Sequence, residues 1–108
     1  MKMSWFYLIL AGFFEICWAF GMKMYQTTSH KISCIVLTAI SLILSGFLLW
    51  LSQKTIPIGT SYIVWTGIGA VGTVLIGIFF FKESYNIWRL LSISFIIAGI
   101  IGLKLVEN

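Results

Sequence analysis

Four long apolar segments, separated by short polar stretches, dominate the hydropathy pattern of this 108-residue chain. They cover about residues 4–22, 32–53, 57–81 and 86–103. Each is close to the roughly 20 residues that a helix needs to cross a bilayer, and none shows the strand-like alternation of a β-barrel. The pattern predicts an all-α membrane protein in which residues 1–108 form one domain of four transmembrane helices.

The composition agrees with a chain that lies mostly in lipid. Hydrophobic residues make up 60% of the sequence and charged residues 9%, which leaves no room for a soluble domain. Cys17 and Cys34 fall inside predicted spans without a histidine or cysteine cluster, so we predict no metal site and no cofactor. No paired acid and base or phosphate-binding loop indicates an enzyme.

The basic residues give no clear orientation in the membrane. If the amino terminus is cytoplasmic, three basic residues lie on that side and four on the other. The positive-inside rule needs a stronger bias, so the sequence allows insertion in both directions. The same even spread of the +4 net charge argues against binding of nucleic acid. The three basic residues on the side of the amino terminus are Lys2, Lys54 and Lys104. The four on the other side are Lys23, Lys31, Lys82 and Arg89.

One carboxylate, Glu15, lies in the middle of the first apolar segment, whereas Glu83 and Glu107 lie outside the segments. A charge at the centre of a membrane helix costs about 2.5–3.5 kcal/mol on insertion scales, so such a residue marks a site of function. Gly12 and Trp18 are three positions away on either side and share its face of the helix. We predict that this face binds a substrate.

The second and third segments supply candidate hydrogen-bonding groups. Ser45, near mid-depth, bonds either to the backbone of its own helix or to the carboxylate of Glu15. Tyr62 and Trp65 are three positions apart, and an indole inside a span needs a partner for its N–H. We predict that all three line the site.

Small residues suggest two further features. Gly67 and Gly69 indicate a bend in the third helix that acts as a hinge, or close packing against a neighbouring helix, and both can hold. Ser92 and Gly99 are seven positions apart on the fourth helix, which has no ionisable residue at its centre. We predict that the fourth helix forms a dimer interface and takes no part in the site.

A dimer would bring two copies of Glu15 into one cavity. Two such carboxylates repel each other, lose hydration and therefore bind protons as a coupled pair. A site that holds either protons or an organic cation exchanges one for the other, provided that the empty site does not alternate freely. This predicts an antiporter that is driven by the proton gradient and works by alternating access.

Three motifs in this sequence resemble the small multidrug resistance family, and the resemblance covers nearly the whole chain. Within that family, Trp18 and the run from Trp65 to Gly69 are similar to the guanidinium exporter (Gdx/SugE) branch. The motifs are Gly12-x-x-Glu15-x-x-Trp18-Ala19, Pro57-x-Gly59-Thr60-x-Tyr62-x-x-Trp65-Thr66-Gly67-Ile68-Gly69 and Gly99-x-x-Gly102-x-Lys104.

The resemblance implies an antiparallel homodimer in the inner membrane, inserted in both orientations, that exchanges guanidinium for protons. Glu15 would bind both, while Ser45, Tyr62 and the indole of Trp18 or Trp65 hold the carboxylates in position. Guanidinium suits a carboxylate because its planar N–H donors match the two oxygens. Two alternatives stay open: a broader exporter of quaternary ammonium compounds, and a membrane subunit that works as one half of an unequal pair.

Overall fold

The computed structural model describes residues 2–107, with side chains for residues 3–106, and contains four α-helices. They are α1 (Lys2–Thr27), α2 (Lys31–Ser52), α3 (Ile58–Phe80) and α4 (Ile87–Glu107). Each includes a stretch that is long and apolar enough to cross a membrane. The predicted all-α fold with four candidate transmembrane spans is therefore confirmed. The side chains of Lys2 and Glu107, used above as charges outside the apolar segments, lie beyond the described part.

The helix ends in the structure differ from the ends of the apolar segments in the sequence. α1 continues to Thr27, beyond the predicted span end at residue 22, because residues 23–27 contain no glycine or proline to stop it. Pro57 precedes α3 with φ −53°, a helix-compatible angle at a position where its missing N–H costs nothing. After α3, Lys82 takes φ 55°, in the left-handed region, and reverses the chain.

α1 is the central helix of the fold. It packs along α2 and also contacts α3, whereas α4 packs chiefly against α3. Two glycines permit close approach: a Cβ at Gly21 would overlap Thr38 of α2, and one at Gly12 would lie 2.6 Å from Ile68 of α3. The start of α1, the α2–α3 connection and the start of α3 enclose a buried apolar cluster. Its members are Trp5, Leu8, Ile56 and Val64.

α4 leaves most of its surface uncovered in the single chain. Among its described side chains only Ile93 is buried, while Trp88 is 74% and Phe95 is 75% exposed. A Cβ at Gly99 would meet nothing within 4 Å, and the Ser92 hydroxyl donates to the Trp88 carbonyl of its own helix, at 2.9 Å. The role of α4 in a dimer stays a prediction, and the helix has free surface for it.

Candidate functional site

Glu15 lies partly buried in the middle of α1, on the side that faces α3. Its side chain passes over the bare backbone of Gly69, since a Cβ at that position would collide with the Glu15 methylene groups. The indole of Trp18 donates a hydrogen bond from Nε1 to Glu15 Oε1, at 2.5 Å. The carboxylate is thus held by a neighbour on its own helix and accommodated by a glycine on the facing one.

An open groove of about 380 Å³ borders this carboxylate, between α1 and α3. That volume falls within the ~300–1,000 Å³ of typical ligand sites. Its lining combines one acidic residue, one aromatic residue, two threonines and small side chains. The lining residues are Glu15, Trp18, Ala19, Thr66, Gly69, Ala70, Thr73 and Val74. The groove therefore has the size and the chemistry to hold a small organic cation.

Ser45 is fully buried and connects three helices. Its hydroxyl donates to the carbonyl oxygen of Ala11, at 2.7 Å, and accepts a hydrogen bond from Trp65 Nε1, at 2.8 Å. In the single chain Ser45 therefore bonds neither to its own backbone nor to the Glu15 carboxylate, and a bond to a carboxylate in a dimer stays a prediction. Ala11 precedes Glu15 by one helical turn, so Ser45 and Trp65 fix the backbone that carries the acid.

Tyr62 lies beside Trp65, with 5.6 Å between the ring centroids, and it is 56% exposed. It does not join the hydrogen bonds of Ser45. In the single chain Trp18 bonds to Glu15 and Trp65 bonds to Ser45, and a network that includes Tyr62 stays a prediction.

Three of the predicted glycines lie where helices of the single chain meet. Gly12 is buried against Ile68, and Gly69 lies beneath the Glu15 side chain. Gly67 faces α4, where a Cβ built at Gly67 would lie 2.8 Å from the Ile100 side chain. α3 is one uninterrupted helix through Gly67 and Gly69. This geometry supports the packing interpretation, while a hinge at these two positions stays a prediction.

Two groove residues were missed in the sequence, although a signal for them exists. Thr66 and Thr73 line the groove together with Gly69 and Ala70. These four positions are spaced at i, i+3, i+4 and i+7, which places them on one face of a helix. A stripe of small and hydroxyl-bearing residues at that spacing indicates the wall of a site facing the acid.

Comparison with known proteins places this arrangement in a family. Residues 3–96 match the sequence profile described as Small Multidrug Resistance protein. The chain belongs to the small multidrug resistance family. The resemblance stated from the motifs is thereby confirmed, and with it a multi-pass membrane location. In bacteria helical spans indicate the inner membrane, because outer-membrane proteins are barrels.

Several similar members of the small multidrug resistance family carry the name guanidinium exporter. The Proteus vulgaris protein is 48% identical over 103 residues, which is 95% of this chain and 98% of that relative. The Escherichia coli K12 protein is 47% identical, over 95% and 97%, and the Yersinia pseudotuberculosis protein 46%, over 95% and 98%. The family and these names describe transporters rather than enzymes.

Proposed function

We propose that this chain is a proton-coupled antiporter that exports guanidinium and small guanidinyl compounds. The observation that carries the proposal is Glu15, a partly buried acid in mid-helix that borders the α1–α3 groove and accepts a hydrogen bond from Trp18. The names of the relatives support guanidinium as the exported ion.

The groove offers guanidinium complementary groups on several sides. Trp18 occupies one oxygen of Glu15 and leaves the other for the N–H donors of the cation, with a charge-assisted hydrogen bond as the result. The hydroxyl groups of Thr66 and Thr73 can accept further N–H groups, and the Trp18 ring can stack on the planar ion. Glu15 supplies the charge, and the other groups orient the ion.

Protons and guanidinium compete for the same carboxylate. A protonated Glu15 has lost the negative charge that holds the cation, whereas a bound cation leaves no site for the proton. Protons that bind on one side of the membrane and guanidinium that binds on the other therefore alternate at the site. The proton gradient supplies the energy for export, and no cofactor takes part.

The transporter works as an antiparallel homodimer with two copies of Glu15 at one cavity. The uncovered surface of α4 supports this part of the proposal, with Ser92 and Gly99 on the helix that joins the two copies. The near-even distribution of basic residues supports insertion in both orientations. It also disfavours an unequal pair, in which each partner carries a biased charge.

Export of quaternary ammonium compounds is the second candidate, because a groove of about 380 Å³ is larger than guanidinium requires. Those ions have no N–H donors, so they would gain the charge of Glu15 and the face of Trp18 but none of the hydroxyl contacts. Guanidinium uses every polar group of the groove and is the better fit.

The test is transport by the purified protein in proteoliposomes under a proton gradient. Wild type should exchange guanidinium for protons, and Glu15→Gln should abolish that exchange while the dimer remains assembled on size-exclusion chromatography. Ser94→Ala is the control, because its exposed hydroxyl bonds only to the Leu90 carbonyl of its own helix, at 3.0 Å. Coupled exchange by Glu15→Gln, or proton movement driven only by a tetra-alkyl ammonium ion, would contradict the proposal.

A further inference from the structure

A second carboxylate, Glu83, lies at the end of the α1–α3 contact, in the connection between α3 and α4. It is paired with Arg89, whose Nη2 lies 2.8 Å from Glu83 Oε1. Arg89 Nη1 also donates to the Ser84 carbonyl, at 2.6 Å. The pair is partly exposed, with 43% of the Glu83 side chain accessible, so its contribution to folding is small. The mechanism proposed above leaves this acid without a role.

A small cavity of about 110 Å³ is lined by Glu83 and lies next to the Glu15 groove. The cavity and the groove share two lining residues, Ala19 and Thr73. Each of these belongs to a row of residues at spacings of four, which follow one face of a helix from the groove to the helix end. The rows are Glu15, Ala19 and Lys23 on α1, and Gly69, Thr73 and Gly77 on α3. We call the strip of surface along these two rows the seam; it is about 12 Å long, at 1.5 Å rise per residue.

The backbone at the end of α3 directs the Glu83 carboxylate over the seam. Its N–H donates to the Gly77 carbonyl, at 3.0 Å, and a Cβ at Gly77 would collide with its Oε1. Helix dipoles do not explain the placement. Glu83 follows the negative end of α3, and Arg89 lies in the first turn of α4, so each charge is at the unfavourable end of its helix.

We propose that Glu83 is a peripheral binding site, at the mouth of the seam, for the guanidinium-type cation that travels to or from Glu15. The inference rests on the proposed function. Glu83 already holds a guanidinium group, that of Arg89, through Oε1 alone, and its Oε2 has no hydrogen-bond partner among the described residues. A free guanidinium ion carries the same donors, so it binds Oε2 or displaces Arg89.

Two basic residues regulate this peripheral site. Arg89 competes with the arriving ion for the carboxylate. Lys23 lines the same cavity, with its Nζ 5.9 Å from the centre of the Phe81 ring, and repels a cation in the seam. Removing either positive charge should therefore favour the bound ion, whereas removing Glu83 should disfavour it.

The experiment measures the apparent KM for guanidinium in proteoliposomes at low ionic strength. Glu83→Gln should raise the KM by on the order of two- to fivefold, the range for exposed ion pairs, while Arg89→Gln and Lys23→Gln should lower it. If the salt bridge were purely structural, Glu83→Gln and Arg89→Gln would both break it. The two variants would then shift the KM in the same direction, not in opposite directions. Lys31→Gln is the control, because Lys31 bonds to the Tyr25 carbonyl, at 2.7 Å, away from the seam.

The differences should also shrink as salt is added, because the screening length falls from about 30 Å at 0.01 M to about 10 Å at 0.1 M. An unchanged KM in Glu83→Gln, or a shift of Arg89→Gln in the same direction, overturns the inference while the proposed function stands. If Glu83→Gln does not assemble, an unchanged KM in both Arg89→Gln and Lys23→Gln overturns the inference instead. A wild type that does not exchange guanidinium overturns the proposed function itself.

Discussion

The bonds of Ser45 predict that its replacement by alanine weakens the contact between three helices. Ser45→Ala removes the hydroxyl that donates to the Ala11 carbonyl and accepts from Trp65 Nε1. The Ala11 carbonyl keeps its helical N–H partner one turn on, but the indole N–H is left in an apolar interior without an acceptor. The loss therefore exceeds that of two isolated hydrogen bonds.

The expected magnitude follows from these contacts. Hydrogen bonds between helices in membrane proteins contribute about 0.6 kcal/mol each on average, so two of them give about 1.2 kcal/mol. An unsatisfied buried donor adds a desolvation cost, which brings the total to about 2 kcal/mol. Ser52 is the matched control because it is equally buried, at 0% exposure, and bonds to the Leu49 carbonyl of its own helix. Ser52→Ala should cost less than about 0.5 kcal/mol.

The assay is reversible unfolding of both variants in detergent micelles, followed by tryptophan fluorescence. A double-mutant cycle with Trp65→Phe should give a coupling energy of about 0.6 kcal/mol for the indole–hydroxyl bond. Equal free energies of unfolding for Ser45→Ala and Ser52→Ala would refute the reasoning, because burial would then matter and the contact between helices would not.

Three further substitutions test the groove and its end. Gly69→Ala should lower guanidinium transport by about tenfold or more, because the new methyl group displaces the Glu15 side chain. The control is Gly46→Ala, which should transport normally because a Cβ at Gly46 meets nothing within 4 Å. Trp18→Phe keeps a ring but removes the N–H donor to the carboxylate, and should raise the apparent KM by about tenfold; an unchanged KM would show that the bond has no part in binding. Lys82→Gly should raise the free energy of unfolding by roughly 0.5–1 kcal/mol, since glycine adopts a positive φ without strain; a lower denaturation midpoint would contradict this.

The sequence could predict what depends on local spacing and on hydropathy. A membrane helix has to be apolar along its length, so the four helices were readable from continuous runs. Glu15 and Trp18 are three positions apart on one helix, and their contact needs no neighbouring element. The same holds for the Tyr62 and Trp65 rings. These features were found because each follows from one helix alone.

Contacts between helices were beyond the sequence because they depend on how each helix is rotated about its axis. Ser45 reaches the Ala11 carbonyl only because α1 and α2 approach closely, as they do where Gly21 faces Thr38. Before that approach is known, the spacing of residues along the chain does not select one acceptor for a serine hydroxyl in mid-helix. An acceptor on another helix, such as the Ala11 carbonyl, cannot be inferred from that spacing.

The two ends of α1 and α3 are packed differently, and this asymmetry bears on how the site opens. At one end the apolar cluster fills the space between the helices and excludes water. At the other end a cavity of about 110 Å³ remains beside Lys23 and Glu83, with Glu15 between these ends. In a single chain the two sides of Glu15 along the helices are therefore packed differently. If two chains are antiparallel, each face of the membrane receives one end with the apolar cluster and one end with the cavity, so the two faces are equivalent without a different fold on either side.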